Sequence, residues 1–157
     1  LAPQAAELRY VEVSSGGSQF RSRDIFAGAF GRLLRGDESL LGDPLPADAV
    51  PPPPQSAVAY VDGFGNIKTT IAAVDAQPGS RMTVRIGEHE REATVAGGGF
   101  AVPDGELAFS PGSSGWPDGS GGLVRFRELF LRGGSAAGLF GNPAPGATVE
   151  LKVRSAV

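Results

Sequence analysis

Tyr60-Val61-Asp62-Gly63-Phe64-Gly65-Asn66-Ile67-Lys68-Thr69-Thr70-Ile71 sets a short polar and aromatic insert between two β-like runs. In Asp62 to Asn66 an acid, an aromatic ring and an amide are separated by single glycines, which remove bulk and permit positive-φ backbone. Such a face suits a planar heterocycle: Phe64 can stack on a ring, the Asn66 amide both donates and accepts, and Asp62 adds a fixed charge. The same pattern also suits a hairpin turn whose phenylalanine caps a core.

Outward from this stretch, Ala57–Val61, Ile67–Ile71, Arg81–Ile86, Glu90–Val95, Glu106–Phe109, Leu123–Leu131 and Thr148–Val153 read as seven short strands punctuated by glycine. That texture predicts a small barrel or sandwich. Within one run Met82, Val84 and Ile86 alternate with Arg81, Thr83 and Arg85, the pattern of a strand with one wet face. Gly97 to Gly122, rich in Gly, Ser, Pro and Asp, is expected to be loop around the strand 106–109. Ser135 should cap one helical turn ending before Gly141.

Upstream the texture differs. Glu7 to Ser14 reads as a strand apolar on both sides, as in a covered α/β sheet. Asp24 to Arg35 carries Ile25, Phe26, Phe30, Leu33 and Leu34 near helical spacing, with Ser22 as N-cap and Gly36 as stop. Leu40 to Gln55 holds Pro44, Pro46 and Pro51 to Pro54, and is expected to form an extended strap. The organisation expected is a mainly β chain. A strand–helix remnant of an N-terminal α/β domain (1–43) and a proline-rich linker (44–56) precede a small C-terminal β-barrel domain (57–157).

Composition excludes several classes. A formal charge of −3, with Lys and Arg scattered, leaves no basic stripe for nucleic acid. No cysteine and a single histidine, His89, leave no thiolate nucleophile or His-cluster metal site, and a cysteine-free chain fits a cytoplasmic protein. No apolar run reaches membrane-spanning length. His89 and the carboxylates Glu88 and Glu90 fall at a hairpin tip and receive no catalytic role. The only methionine is Met82, so the chain is expected to be processed or to lack an N-terminal part.

Three separated motifs and one short turn carry a family resemblance. The stretch 60–71 resembles the Asp-x-Phe-Gly-Asn-x-x-Thr-Asn-Ile signature of the S-adenosyl-L-methionine hydrolases that form adenosine (the hydroxide adenosyltransferases), relatives of fluorinase and chlorinase. Phe20-Arg21-Ser22-Arg23-Asp24-Ile25-Phe26-Ala27 is similar to the segment closing that family's N-terminal domain. Glu128-Leu129-Phe130-Leu131-Arg132-Gly133-Gly134-Ser135-Ala136-Ala137 resembles its last motif, and Ser113-Ser114-Gly115 its Asn-Ser-x-Gly turn.

The resemblance implies trimers with the nucleoside between one subunit's N-terminal domain and a neighbour's barrel, and S-adenosyl-L-methionine as substrate rather than cofactor. It implies that Phe64 and Phe100 flank adenine, that Asn66 bonds its edge and that backbone at Arg132 and Gly133 completes the site. Asp62 would hold the methionine ammonium, with Ser113 at the amino-acid end and its neighbour Ser114 a further candidate there. The family's catalytic Asp, Arg and His lie in an N-terminal segment outside this sequence. No catalytic residue is therefore expected here, and activity would need that segment or a companion chain. Ser22 stands where hydrolases have Gly and fluorinase a Ser near its halide, which leaves a halide-using 5′-halo-5′-deoxyadenosine synthase as the alternative. A non-catalytic nucleoside-binding or oligomerisation module is a third reading. Departures from the pattern are Thr70 and Arg132, each in place of Asn, and an insertion from Pro117 to Arg127.

Overall fold

The computed structural model describes residues 7–46, 48–117 and 120–153. The chain divides into two compact units, Leu1–Pro52 and Pro53–Val157, the division falling inside the proline run.

In the first unit, β1 (Arg9–Val11) pairs antiparallel with β2 (Leu41–Pro44) across a helical segment. Pro44 tolerates this place because a two-stranded ribbon leaves its missing N–H on an open edge. This corrects the expectation for Leu40 onward, whose first residues form a strand before the proline strap. It also corrects the covered strand: Arg9, Tyr10 and Val11 are all exposed, because the described residues of this unit do not cover the ribbon's faces there.

The helical segment opens with one wide π-helical turn, Ser22–Phe26, and continues as α1 (Ala27–Leu34). Ser22 is not the N-cap. Arg21 already has helical angles, and the turn's start is tied by Ser18, whose Oγ accepts from Phe20 N at 2.9 Å and donates to Asp24. Gly36 ends the helix as expected, with φ of 83° that few side chains tolerate. Of the apolar stripe, Ile25 and Leu33 are half-buried, whereas Phe26, Phe30 and Leu34 are exposed.

The second unit is a curled seven-stranded sheet with one short helix. Its strands are β3 (Val58–Val61), β4 (Ile67–Thr69), β5 (Arg81–Ile86), β6 (His89–Val95), β7 (Leu107–Pro111), β10 (Arg127–Leu131) and β11 (Val149–Val153). A separate ribbon is formed by β8 (Trp116–Pro117) and β9 (Leu123–Val124). The sheet order is β11-β5-β6-β7-β10-β4-β3. Its two ends meet, since Val58 N donates to Ala147 O, Gly146 N to Val58 O and Val149 N to Ser56 O, each at 2.8 Å. Thr70 secures this seam from the side, its Oγ1 accepting from Ala57 N at 3.0 Å.

Period-2 patterning fixes which face lies inside. Met82, Val84 and Ile86 of β5 are buried with Phe109, Ile67, Leu129 and Val149, while Arg81 and Arg85 stay wet. The run expected as one strand, Leu123–Leu131, is broken. At Phe126–Arg127 the backbone changes partner: Gly112 N donates to Phe126 O and Arg127 N to Ile71 O, and among the described residues β9 pairs with β8 alone.

One pairing shapes the outer face. β6 and β7 run parallel, with Thr94 opposite Ala108 and Val95 opposite Phe109. Parallel neighbours cannot be joined by a tight turn, so the chain from Ala96 to Glu106 must cross over. Val102 of this crossover packs with Ala96, Ala108 and Phe130 as a second small apolar cluster. That cover explains why Leu107 to Ser110 are buried on both faces.

Candidate functional site

Between β3 and β4 the chain turns at Asp62–Asn66, and the turn is held by its own acid. The Asp62 carboxylate accepts from Phe64 N (3.0 Å), Asn66 N (3.0 Å) and Asn66 Nδ2 (2.9 Å), and pairs with Lys68 Nζ at 3.5 Å. Desolvation pushes the Asp62 carboxyl up. The Asn66 and Phe64 donors and the Lys68 charge outweigh it, so its pKa lies below the ordinary 3.8. Lys68 is itself shared with Glu128 on β10; burial would lower its pKa, but the two carboxylates hold it above the ordinary value.

The turn is fastened to α2 (Ala136–Leu139). Gly65 has φ of 82°, its carbonyl accepts from Ala137 N at 2.8 Å, and a Cβ there would overlap Ser135 Oγ. Ser135 caps α2 as expected, accepting from Gly138 N at 3.1 Å. With its neighbours so committed, Phe64 projects outward, 85% exposed, while Asn66 is 8% exposed.

Three sequence-distant elements then converge. A recess of about 420 Å³ on the outer face is lined by Phe64, Asn66, Phe100, Phe130, Leu131, Gly133 and Gly134. Phe100, 77% exposed, comes from the crossover and rests against Phe130, with ring centroids 5.0 Å apart and planes at 59°. Gly99 permits that approach, since a Cβ there would meet the Phe130 ring at 2.7 Å.

Of the residues singled out in the sequence, Phe64, Asn66, Phe100 and Gly133 come together in this recess. Asp62 sits behind Asn66 and shapes the turn. Arg132 does not line the recess. Its guanidinium donates to the carbonyls of Phe100 (3.2 Å) and Val102 (2.8 Å) and pairs with Asp104 at 2.5 Å. Ser113 and Ser114 line a different cavity of about 220 Å³, with Tyr60, Lys68, Phe126 and Glu128. Glu128 and Phe130 project from the same face of β10, so the two hollows are neighbours on that face. Ser22 lies in the first unit, exposed in the opening helical turn.

Phe130 and Lys68 were missed as site residues, although both lay inside the quoted motifs. The alternation of Leu129 inward and Phe130 outward along β10 was the available signal for the first. Lys68, between buried Ile67 and Thr69, was the signal for the second.

No family model matches the chain, and no curated protein matches it. Two solved structures are similar. An uncharacterized conserved protein from Thermotoga maritima is 28% identical, with a TM-score of 0.65, over 94% of this chain and 60% of its own. A conserved hypothetical protein from Thermus thermophilus is 28% identical, with a TM-score of 0.55, over 84% of this chain and 52% of its own. The chain thus spans about half to three-fifths of the length of these relatives.

Proposed function

We propose that this chain is the C-terminal, adenine-binding portion of an enzyme that hydrolyses S-adenosyl-L-methionine to adenosine and L-methionine. The observation that carries the reading is the recess itself: two exposed phenylalanine rings and a buried amide, from segments about 35 residues apart along the sequence, face one hollow of about 420 Å³. A cavity of that size is in the range of a small-molecule site. In this reading Phe64 and Phe100 flank the purine. Asn66, with one amide hydrogen committed to Asp62, offers its carbonyl and remaining N–H to the purine edge.

The reaction is attack of water, as hydroxide, on the ribose C5′, with the electron pair of the C5′–S bond leaving on methionine sulfur. The sulfonium is already a good leaving group, so the protein's contribution is positioning and exclusion of bulk water. The residues that orient the nucleophile belong to the N-terminal part that the resemblance places outside this sequence, in a cytoplasmic homotrimer whose subunits share each site. The amino-acid end falls at the Ser113 cavity. An ammonium group reaching Asp62 displaces Lys68, at 3.5 Å the most distant of that carboxylate's partners.

The test is incubation of the intact protein with S-adenosyl-L-methionine and chromatography of the products. Adenosine and methionine in equal amounts support the proposal. A 5′-halo-5′-deoxyadenosine formed only with added halide indicates the halide-using alternative. Nucleoside binding without turnover indicates a non-catalytic module.

A further inference from the structure

We infer that Arg132 is a positioning residue: its side chain holds the crossover's ring, Phe100, against the recess without touching what binds there. This rests on the reading of the recess as a site for a flat ring. The crossover from Ala96 to Glu106 has no strand or helix of its own, so its path is set by a few fastenings. Val102, 3% exposed, is one. Arg132 supplies others. Its backbone closes the base of the loop, Gly105 N donating to Arg132 O at 2.8 Å and Arg132 N to Glu106 O at 3.1 Å. Its guanidinium spans the tip through the Phe100 and Val102 carbonyls.

A guanidinium presents several donors in a rigid plane, so one side chain holds two carbonyls and a carboxylate in a fixed relation. Both carbonyl bonds leave one nitrogen, Nη1, while Nε meets Asp104; a lysine ammonium can reach the same carbonyls, but on a flexible stem with no second arm it holds them less firmly. The Asp104 arm is the weakest part, since that carboxylate is 82% exposed and screened by solvent. The carbonyl bonds are therefore the ones that matter. Because the bond to the Phe100 carbonyl lies at the residue carrying the ring, releasing it frees the ring to swing off Phe130.

The test uses R132Q and R132K in the intact protein, with two readouts. The first needs no ligand: amide hydrogen exchange at Ala101, Gly105 and Glu106, whose N–H groups are bonded to the Gly98, Arg132 and Pro103 carbonyls. Exchange there is expected to quicken about tenfold in R132Q while β5, β7 and β10 stay as protected as before, a factor matching the loss of one charge-assisted hydrogen bond. Unchanged exchange in the loop overturns the inference. The second is equilibrium binding of S-adenosyl-L-methionine. R132Q is expected to weaken it about tenfold, R132K to recover only part, and R132Q to have no further effect in an F100A background. An equal loss in that background means the guanidinium meets the ligand itself, which overturns the inference. If the unaltered protein binds no nucleoside, the proposed function fails, and loop exchange still decides whether Arg132 holds Phe100.

Discussion

Among the described glycines, a methyl group added at Gly65 meets the tightest neighbour. Three costs add. A non-glycine residue at φ of 82° carries about 1–2 kcal/mol of backbone strain. The new Cβ would overlap Ser135 Oγ and stand 2.8 Å from Ser135 Cβ. Rotating the serine away gives up the α2 cap, about 1 kcal/mol, and still leaves the Cβ contact and a backbone atom at 3.2 Å. The turn must therefore move off α2, stretching the Ala137 N to Gly65 O bond of 2.8 Å, worth about another 1 kcal/mol. The expected destabilisation is about 3–4 kcal/mol, read as a fall in the urea midpoint with unchanged slope. Gly63→Ala is the matched control: nothing lies within 4 Å of its Cβ position and its φ is not positive, so it should shift stability by no more than about 0.5 kcal/mol. A Gly65→Ala protein within about 1 kcal/mol of the parent would refute the claim that this turn is locked to α2.

The other expectations are more quickly stated. Phe64→Ala should leave stability within about 0.5 kcal/mol, because the ring is exposed, yet weaken nucleoside binding by about 1–3 kcal/mol, measured by titration calorimetry. Phe109→Ala, in the centre of the barrel, should cost about 3–5 kcal/mol in urea unfolding. Asp62 has a folded pKa below its ordinary value, so its contribution is full above pH 3.8 and is lost as pH falls through the lower folded value. Asp62→Asn should flatten that acid limb of the stability curve, and an unaltered limb contradicts the carboxylate's role in holding the turn.

The barrel was legible because its strands obey a period of two and its turns carry glycine. Met82, Val84 and Ile86 declared one inward face, and Gly87, with φ of 59°, the tight turn that pairs Ile86 with His89. The first unit was less legible for a definite reason. Tyr10 and Val11, and Phe26, Phe30 and Leu34, are apolar residues left exposed, so pattern alone read a covered strand and an amphipathic helix where the described residues of their own unit supply no cover. The break at Phe126 was invisible because it depends on backbone bonds to Gly112 and Ile71, which no local pattern around Phe126 announces.

The site divides along the same line. Phe64 and Asn66 were readable because they lie within five residues of each other, where spacing alone limits how side chains point. What the Arg132 side chain does was not readable, for the complementary reason. A residue's type and place in a motif say what it can bond, but its partners here, the carbonyls of Phe100 and Val102, are brought to it only by the parallel pairing of β6 with β7. That pairing forces the crossover over Phe130, and the crossover delivers both the second ring and the groups that consume the guanidinium. Had β6 and β7 been an antiparallel hairpin, there would be no loop over Phe130, no second wall, and an arginine free to meet a ligand. The recess is thus a product of sheet order as much as of the Asp62–Asn66 turn. A substitution that loosens Val102, such as Val102→Ala, should accordingly weaken ring binding through the loop while leaving the Asp62 turn intact, as an unchanged Asn66 side-chain amide resonance would show.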